Sequence, residues 1–269
     1  TGWYTLSLHD ALPISGAGDR MGTARAGARR RAAPAWAAAA ALAAALGAGP
    51  APAQPGGAAG GGRPPLASEA SGFEVGVARL RYGGGGDWYA NPSSLPNWLA
   101  QFAARTGIPT PAEEAVVSLD SDDLYRHPLL YVTGHGRIAL SDRELAELRR
   151  YLEAGGFLWV DDNYGLDRSF RELAAQLFPD APLAPLGSGH PIFRAFYDLP
   201  GLPKIHEHDG EPAQAFGVDR GGRLLVLYTY SSDIGDGLED PDVHGDPPAV
   251  REAAVQMAVN VLMYVLTRP

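Results

Sequence analysis

The chain has 269 residues, a formal net charge of −9 at pH 7 and no cysteine, which allows one or two domains and excludes disulfides, thiolate metal centres and a cysteine nucleophile. Five of the 22 Lys+Arg and two of the 31 Asp+Glu precede Gln54, leaving 17 against 29 beyond it. With no basic cluster in that acidic remainder, nucleic acid is excluded as a partner.

Residues 1–20 have neither helical nor strand period, and 6–14 resemble translated sequencing-adapter sequence, so this stretch is set apart from the fold. From Met21, Arg25, Arg29, Arg30 and Arg31 precede the alanine-rich run 32–48 and the small residues Ala51-Pro52-Ala53. That is the order of a secretory signal, expected over 21–53. The run is shorter than the ~20 apolar residues a span requires, and no cysteine is present to carry a lipid. A periplasmic or secreted bacterial protein without a stable membrane anchor is therefore expected. Residues 54–72, rich in Gly, Pro and Ala, read as a disordered linker, and one α/β domain is expected over 73–269.

The first strand is expected over 73–82. Its apolar phase changes from Phe73, Val75 and Val77 to Ala78, Leu80 and Tyr82, which implies a bulge or a change of environment. Arg79 and Arg81 share the other phase and are placed to meet a carboxylate or to face solvent. Four glycines, 83–86, then permit positive φ and close approach of backbone to a ligand, so Gly84 and Gly85, with Asp87 and Trp88, are candidate binding residues. The spacing is neither a dinucleotide fingerprint nor a P-loop, and no cofactor is expected.

Ser94-Leu95-Pro96 opens a helix with Leu95, Trp98, Leu99 and Phe102 on one face, stopped by Gly107. A strand through 115–119 leads to the acidic run 120–123, a turn or cap rather than a calcium loop, since no Gly and Glu stand at EF-hand offsets. The apolar run 129–132 ends in Thr133-Gly134-His135-Gly136 and reads as a buried parallel strand delivering a histidine to a tight turn. Ser141 and Glu144 have capping-box spacing ahead of Leu145, Leu148 and Leu152. A further strand, 157–160, ends in Asp161-Asp162-Asn163. Strand, helix and strand make a βαβ unit, so both polar tips share one sheet edge.

A short helix is expected over 170–178 before Pro179. In the loop country that follows, His190 lies among apolar anchors and reads as a structural loop histidine. His206 and His208 resemble a ligand pair, but i and i+2 share a face only on a strand and no third ligand stands at motif spacing. No metal centre is therefore assigned, and His190, His206 and His208 stay as candidates. Residues 216–230 form a hairpin or two consecutive strands, with the polar tips Ser231-Ser232-Asp233 and Gly235-Asp236-Gly237 following. Asp246-Pro247-Pro248 starts a last helix with its stripe at Val250, Ala254, Met257, Val261 and Val265.

Strands near 75, 116, 131, 159 and 226 separated by amphipathic helices specify an α/β, mostly parallel sheet covered on both faces. Ligands gather beyond the carboxyl ends of such strands, where Asp87, His135, Asp161, Asn163 and Asp233 all fall. His135 beside Asp161 or Asp162 is the candidate catalytic group, with one carboxylate as general base; adjacent strand residues point to opposite faces, so one of the two is expected to serve.

The segments 79–89, 133–136, 152–163 and 190–193 together resemble the domain of unknown function 4159 family. The resemblance covers essentially 73–267 and implies a flavodoxin-like fold similar to class I glutamine amidotransferases. Members of that group carry a nucleophilic cysteine on the turn that is here Gly134-His135-Gly136, so glutaminase chemistry of that kind is absent. The resulting expectation is a non-catalytic envelope domain binding a small polar ligand or an envelope protein partner; the alternative is a glycan or ester hydrolase with a His/Asp site, with or without a metal.

Overall fold

The computed structural model describes residues 74–206, 208 and 210–268; the expected signal and linker lie outside them. Seven strands make one sheet: β1 Val77–Leu80, β2 Ala115–Val117, β3 Leu129–Val132, β4 Phe157–Asp161, β5 Ala184–Pro185, β6 Gln214–Arg220 and β7 Arg223–Tyr230, in the order β2-β1-β3-β4-β7-β6-β5. The block from β2 to β7 is parallel, and the β7, β6 and β5 edge is antiparallel. This is a flavodoxin-like order, in which the chain changes direction beside β1 and β3.

Helix α1 is Ser94–Thr106, α2 Asp142–Glu153, α3 Asp167–Leu177, α4 Ile234–Leu238, α5 Pro241–His244 and α6 Pro248–Thr267. The connections are right for a doubly wound sheet, because parallel neighbours require crossovers and those crossovers cover both faces. One face carries Val77, Tyr131, Trp159 and Leu227 against α1, α4 and α6; the other carries Leu80, Leu130, Val160 and Tyr228 against α2 and α3. Trp159 sits edge-on to Trp98 and to Tyr131 at 5.1 Å in each case, pairs that add ~1 kcal/mol each beyond burial. Helix α6 is long and apolar enough to cross a bilayer by length and composition, yet more than half of it is buried in this layer.

The expected change of phase in β1 is not a bulge. Its register against β2 and β3 runs without a break, and all four residues are buried. Val75 and Val77 pack on one layer while Ala78, Leu80 and Tyr82 pack on the other, so a strand apolar on both faces looks like a slipped alternation in sequence.

Arg79 is also buried, at 1% exposure. Its Nε donates to both Glu114 oxygens at 3.0 and 3.1 Å, Nη1 to Ala90 O at 2.7 Å and Nη2 to Asn91 O at 3.1 Å. A buried guanidinium satisfied on every side ties the loop after β1 to the sheet. Arg81 is exposed.

The capping box forms as the spacing predicts: Ser141 Oγ accepts from Glu144 N–H, and the Glu144 carboxylate accepts from Ser141 N–H. The hairpin is β6 and β7, turned through Gly221 and Gly222, both left-handed.

Candidate functional site

The carboxyl ends of β1, β3, β4 and β7 form one crest, and the polar tips of the sequence divide there into two groups. Over β1 and β3 the group is His135 with Asp87. Asp87 Oδ1 accepts the His135 backbone N–H, and Oδ2 lies 3.1 Å from the ring Nδ1. One carboxylate thus fixes both the position of the turn and the orientation of the imidazole, whose side chain is 53% exposed.

No hydrogen bond or ion pair joins His135 to Asp161 or Asp162 among the described residues, and this corrects the expected catalytic pairing. The two aspartates do point to opposite faces, but both serve structure. Asp162 accepts from Leu166 N–H at 2.9 Å, Tyr164 N–H at 3.2 Å and Tyr228 O–H at 3.2 Å, while burial raises its pKa. Asp161 accepts from Gly235 N–H at 2.7 Å, Tyr131 O–H at 3.2 Å and Thr229 O–H. Complete burial pushes its carboxyl up to about 6 against those hydrogen bonds, with nearby Asp236 adding to the rise.

Part of the glycine loop is tied to the loop after β3. Gly86 N–H donates to Arg137 O at 2.9 Å, Asp87 N–H to His135 O at 3.3 Å, and Ala139 N–H to Gly83 O at 2.8 Å. The loops after β1 and β3 pair with each other, and a Cβ on Gly84 would stand 2.5 Å from Ala139 N. Gly84, at φ 109°, is needed for this close approach of backbones. Trp88 is part-buried against the core layer that holds Leu80, and its carbonyl lies 3.5 Å from Arg79 Nη1.

Beside this pair, a cleft of about 420 Å³ is lined by Gly136, Arg137, Gly165, Arg168, Ser169 and Glu172. It lies between the turn carrying His135 and the first turns of α3. Ser169 Oγ closes its floor, accepting from Ile138 N–H at 3.1 Å and donating to Leu166 O at 3.0 Å.

The second group, over β4 and β7, gathers residues that sequence spacing keeps apart. His206 Nδ1 is 2.8 Å from Asp236 Oδ2, and its Nε2 is 2.8 Å from Asp246 Oδ1. His208 Nε2 lies against Asp233 Oδ2. Asp233 and Asp161 are 0% exposed, Asp236 5% and Glu239 4%. Asn91 Nδ2 donates to Asp236 Oδ1 at 2.6 Å and shares longer contacts of 3.3 and 3.4 Å with Asn163. His244 Nε2 is 3.3 Å from Glu239 Oε2 and 3.9 Å from Asp236 Oδ1.

Neither Asp233 oxygen has a partner in good hydrogen-bond geometry, the His208 contact notwithstanding. Burial first, then the charges of Asp161, Asp236 and Asp162, push its carboxyl up to about 9 despite Lys204. Asp233 also sits in the left-handed region at φ 59°, turning the chain from β7 into α4. A Cβ on Gly235 would meet Tyr131 Oη at 2.6 Å and Asn91 Nδ2 at 2.7 Å, so the turn takes glycine there.

Asn91, Asp236, Asp246 and His244 are the site residues that sequence reasoning passes over. The signal for Asp236 is its place between two glycines just after a buried strand; Asn91, at φ 57°, is marked by standing before Pro92. His190 lies apart from both groups: its Nδ1 accepts Ile192 N–H at 3.2 Å, and its ring meets Tyr264 at 5.6 Å. It is the structural loop histidine expected.

Fold and crest define a flavodoxin-like α/β domain with a polar, His/Asp-lined carboxyl edge. The family model for the domain of unknown function DUF4159 matches residues 76–266, and the chain belongs to that family. A comparison with curated proteins found no match.

Proposed function

We propose that the domain binds a small polar ligand at the carboxyl edge of the sheet, in the cleft beside His135, and does so outside the cytoplasm. The observation that carries this is the cleft lined by Arg137, Arg168 and Glu172 at the side of the Asp87-oriented imidazole. Arg168 is held by Glu172 at 3.2 Å, so the lining offers both a guanidinium fork and hydrogen-bonding carboxylate. Such a lining suits a ligand with an anionic head and hydroxyl or amine donors. The basic segment, alanine run and small residues ahead of Gln54 support export.

A thermal-shift screen of small carboxylates, phosphates, sugars and amino acids against the purified chain tests the binding. Saturable stabilisation by one chemical class, lost in an Arg137→Ala, Arg168→Ala double variant, supports it. Stabilisation that the double variant retains would place the ligand elsewhere.

A second reading is a hydrolase for an ester or glycan, and the Asp87–His135 pair favours it. A half-exposed imidazole oriented by a carboxylate is the arrangement of a general base. In this reading Asp161 and Asp162 hold structure and His135 takes the proton. Turnover of a chromogenic ester or glycoside panel that disappears in His135→Ala supports it, and rates unchanged in that variant remove it.

A further inference from the structure

Over β4 and β7 the crest gathers four carboxyl groups that are almost fully out of water. Asp161, Asp233, Asp236 and Glu239 are all at most 5% exposed, and Lys204 acts on Asp233 from outside this group. Burying carboxylates without cations is costly. Two imidazoles enter the same space: one donor atom each from His206, His208, Asp233 and Asp236 lie within 4.8 Å of one another.

The surroundings of this quartet resemble those of metal ligands. A ligating imidazole ordinarily gives its second nitrogen to a carboxylate. His206 does this, with Nδ1 turned to Asp236 and Nε2 held by Asp246 Oδ1 at 2.8 Å. A ligating carboxylate is itself held by a donor, and Asp236 Oδ1 receives Asn91 Nδ2 at 2.6 Å. Asp233, one of the four, supplies the independent sign: it is fully buried, and Oδ1 and Oδ2 both lack a hydrogen-bond donor in good geometry.

We propose that His206, His208, Asp233 and Asp236 bind one first-row divalent cation of the zinc type, with Asp246 and Asn91 as outer supports. Donor atoms around tetrahedral zinc stand roughly 3.4 Å apart, given bonds of about 2.1 Å, so the His206–Asp236 and His208–Asp233 contacts open slightly and the wider pairs, at up to 4.8 Å, close. The cation takes the place of the proton between His206 Nδ1 and Asp236 Oδ2 and answers the open oxygens of Asp233. Two nitrogens and two oxygens favour zinc, cobalt or manganese over magnesium or calcium, which take oxygen sets. This inference does not depend on the cleft beside His135, whose lining residues are different.

The test is equilibrium titration of the chelator-stripped chain with Zn²⁺ against a competing indicator, together with Co²⁺ absorption. One equivalent of Zn²⁺ should bind, and Co²⁺ should give the intense visible bands of a four-coordinate site. His208→Ala, a change at a part-exposed loop side chain that the fold tolerates, and Asp233→Asn should each weaken Zn²⁺ by more than about 100-fold. Asp246→Asn should weaken it by about 10–100-fold, as expected for an outer support. His190→Ala and the Arg137→Ala, Arg168→Ala variant should bind as the parent does, which separates this site from the cleft. Failure of the stripped parent to bind one equivalent, equal affinity for Mg²⁺ and Zn²⁺, or full affinity in His208→Ala would each overturn the proposal.

Discussion

Replacing Asp161 by asparagine should make the metal-stripped protein more stable at neutral pH, and the gain should vanish in acid. The side chain is 0% exposed and its carboxyl is raised from 3.8 to about 6. The folded state therefore holds the proton more tightly than the unfolded chain, and stability falls as pH rises through the interval between those two values. About two pKa units at ~1.4 kcal/mol each give a penalty of roughly 3 kcal/mol, fully present above about pH 7 and absent below about pH 4. Asparagine removes the titration and keeps one oxygen for Gly235 N–H. Its amide group can donate to Thr229 Oγ1, which reverses that bond without leaving it open. Some of the gain is lost to imperfect geometry, leaving about 1–3 kcal/mol at neutral pH, or roughly 2–12 °C in Tm for a domain of this size. Urea melts of both proteins at half-unit steps across this range measure the difference directly. A difference that is flat with pH, or that grows toward acid, would refute the assignment of Asp161 as a buried carboxylate under strain from desolvation. A loss of stability at every pH would show instead that its hydrogen bonds outweigh burial.

Arg79→Met should cost about 3–5 kcal/mol, because it leaves Glu114 without its partner and the Ala90 and Asn91 carbonyls without donors; denaturant melts measure this, and a loss below about 1 kcal/mol would show water reaching the vacated space. Ser141→Ala should cost ~1 kcal/mol through the capping box of α2, read from the same melts. Expression from Met21 in a bacterial host should yield a periplasmic or secreted form beginning near Gln54, identified by N-terminal sequencing; full-length protein in the cytosol would refute export.

The buried parallel strands were legible because each is a nearly unbroken apolar run, and the polar residues at their ends fell on one crest as topology demands. Less legible were β5, two residues long, and the short α4 and α5, since such pieces carry no period. His135 was found, but its partner was not: proximity in the βαβ unit suggested Asp161 or Asp162, whereas the reversal beside β1 brings Asp87 across instead. The same limit left His206, His208 and Asp233 as separate candidates and hid Asp236 as their fourth member. His206 and Asp236 are 30 residues apart with β6 and β7 between them, and no local spacing encodes the left-handed Asp233 that turns the chain at the end of β7. At glycines 83–86 close backbone approach was legible, but not that the neighbouring loop would meet Gly83 and Gly86.

Helix α6 has a bearing on how the chain reaches this fold at all. The layer formed by Val77, Tyr131 and Trp159 is closed by Ala254, Met257, Ala258, Val261, Leu262 and Val265, and β7, which pairs with β4, is also made late. A ribosome that has delivered β1 to β4 has released a sheet with one apolar side covered by α1 alone. Native packing must wait until synthesis has passed residue 267. The last segment to emerge is a twenty-residue helix long and apolar enough to cross a bilayer, and docking onto the sheet is what takes its apolar side out of water.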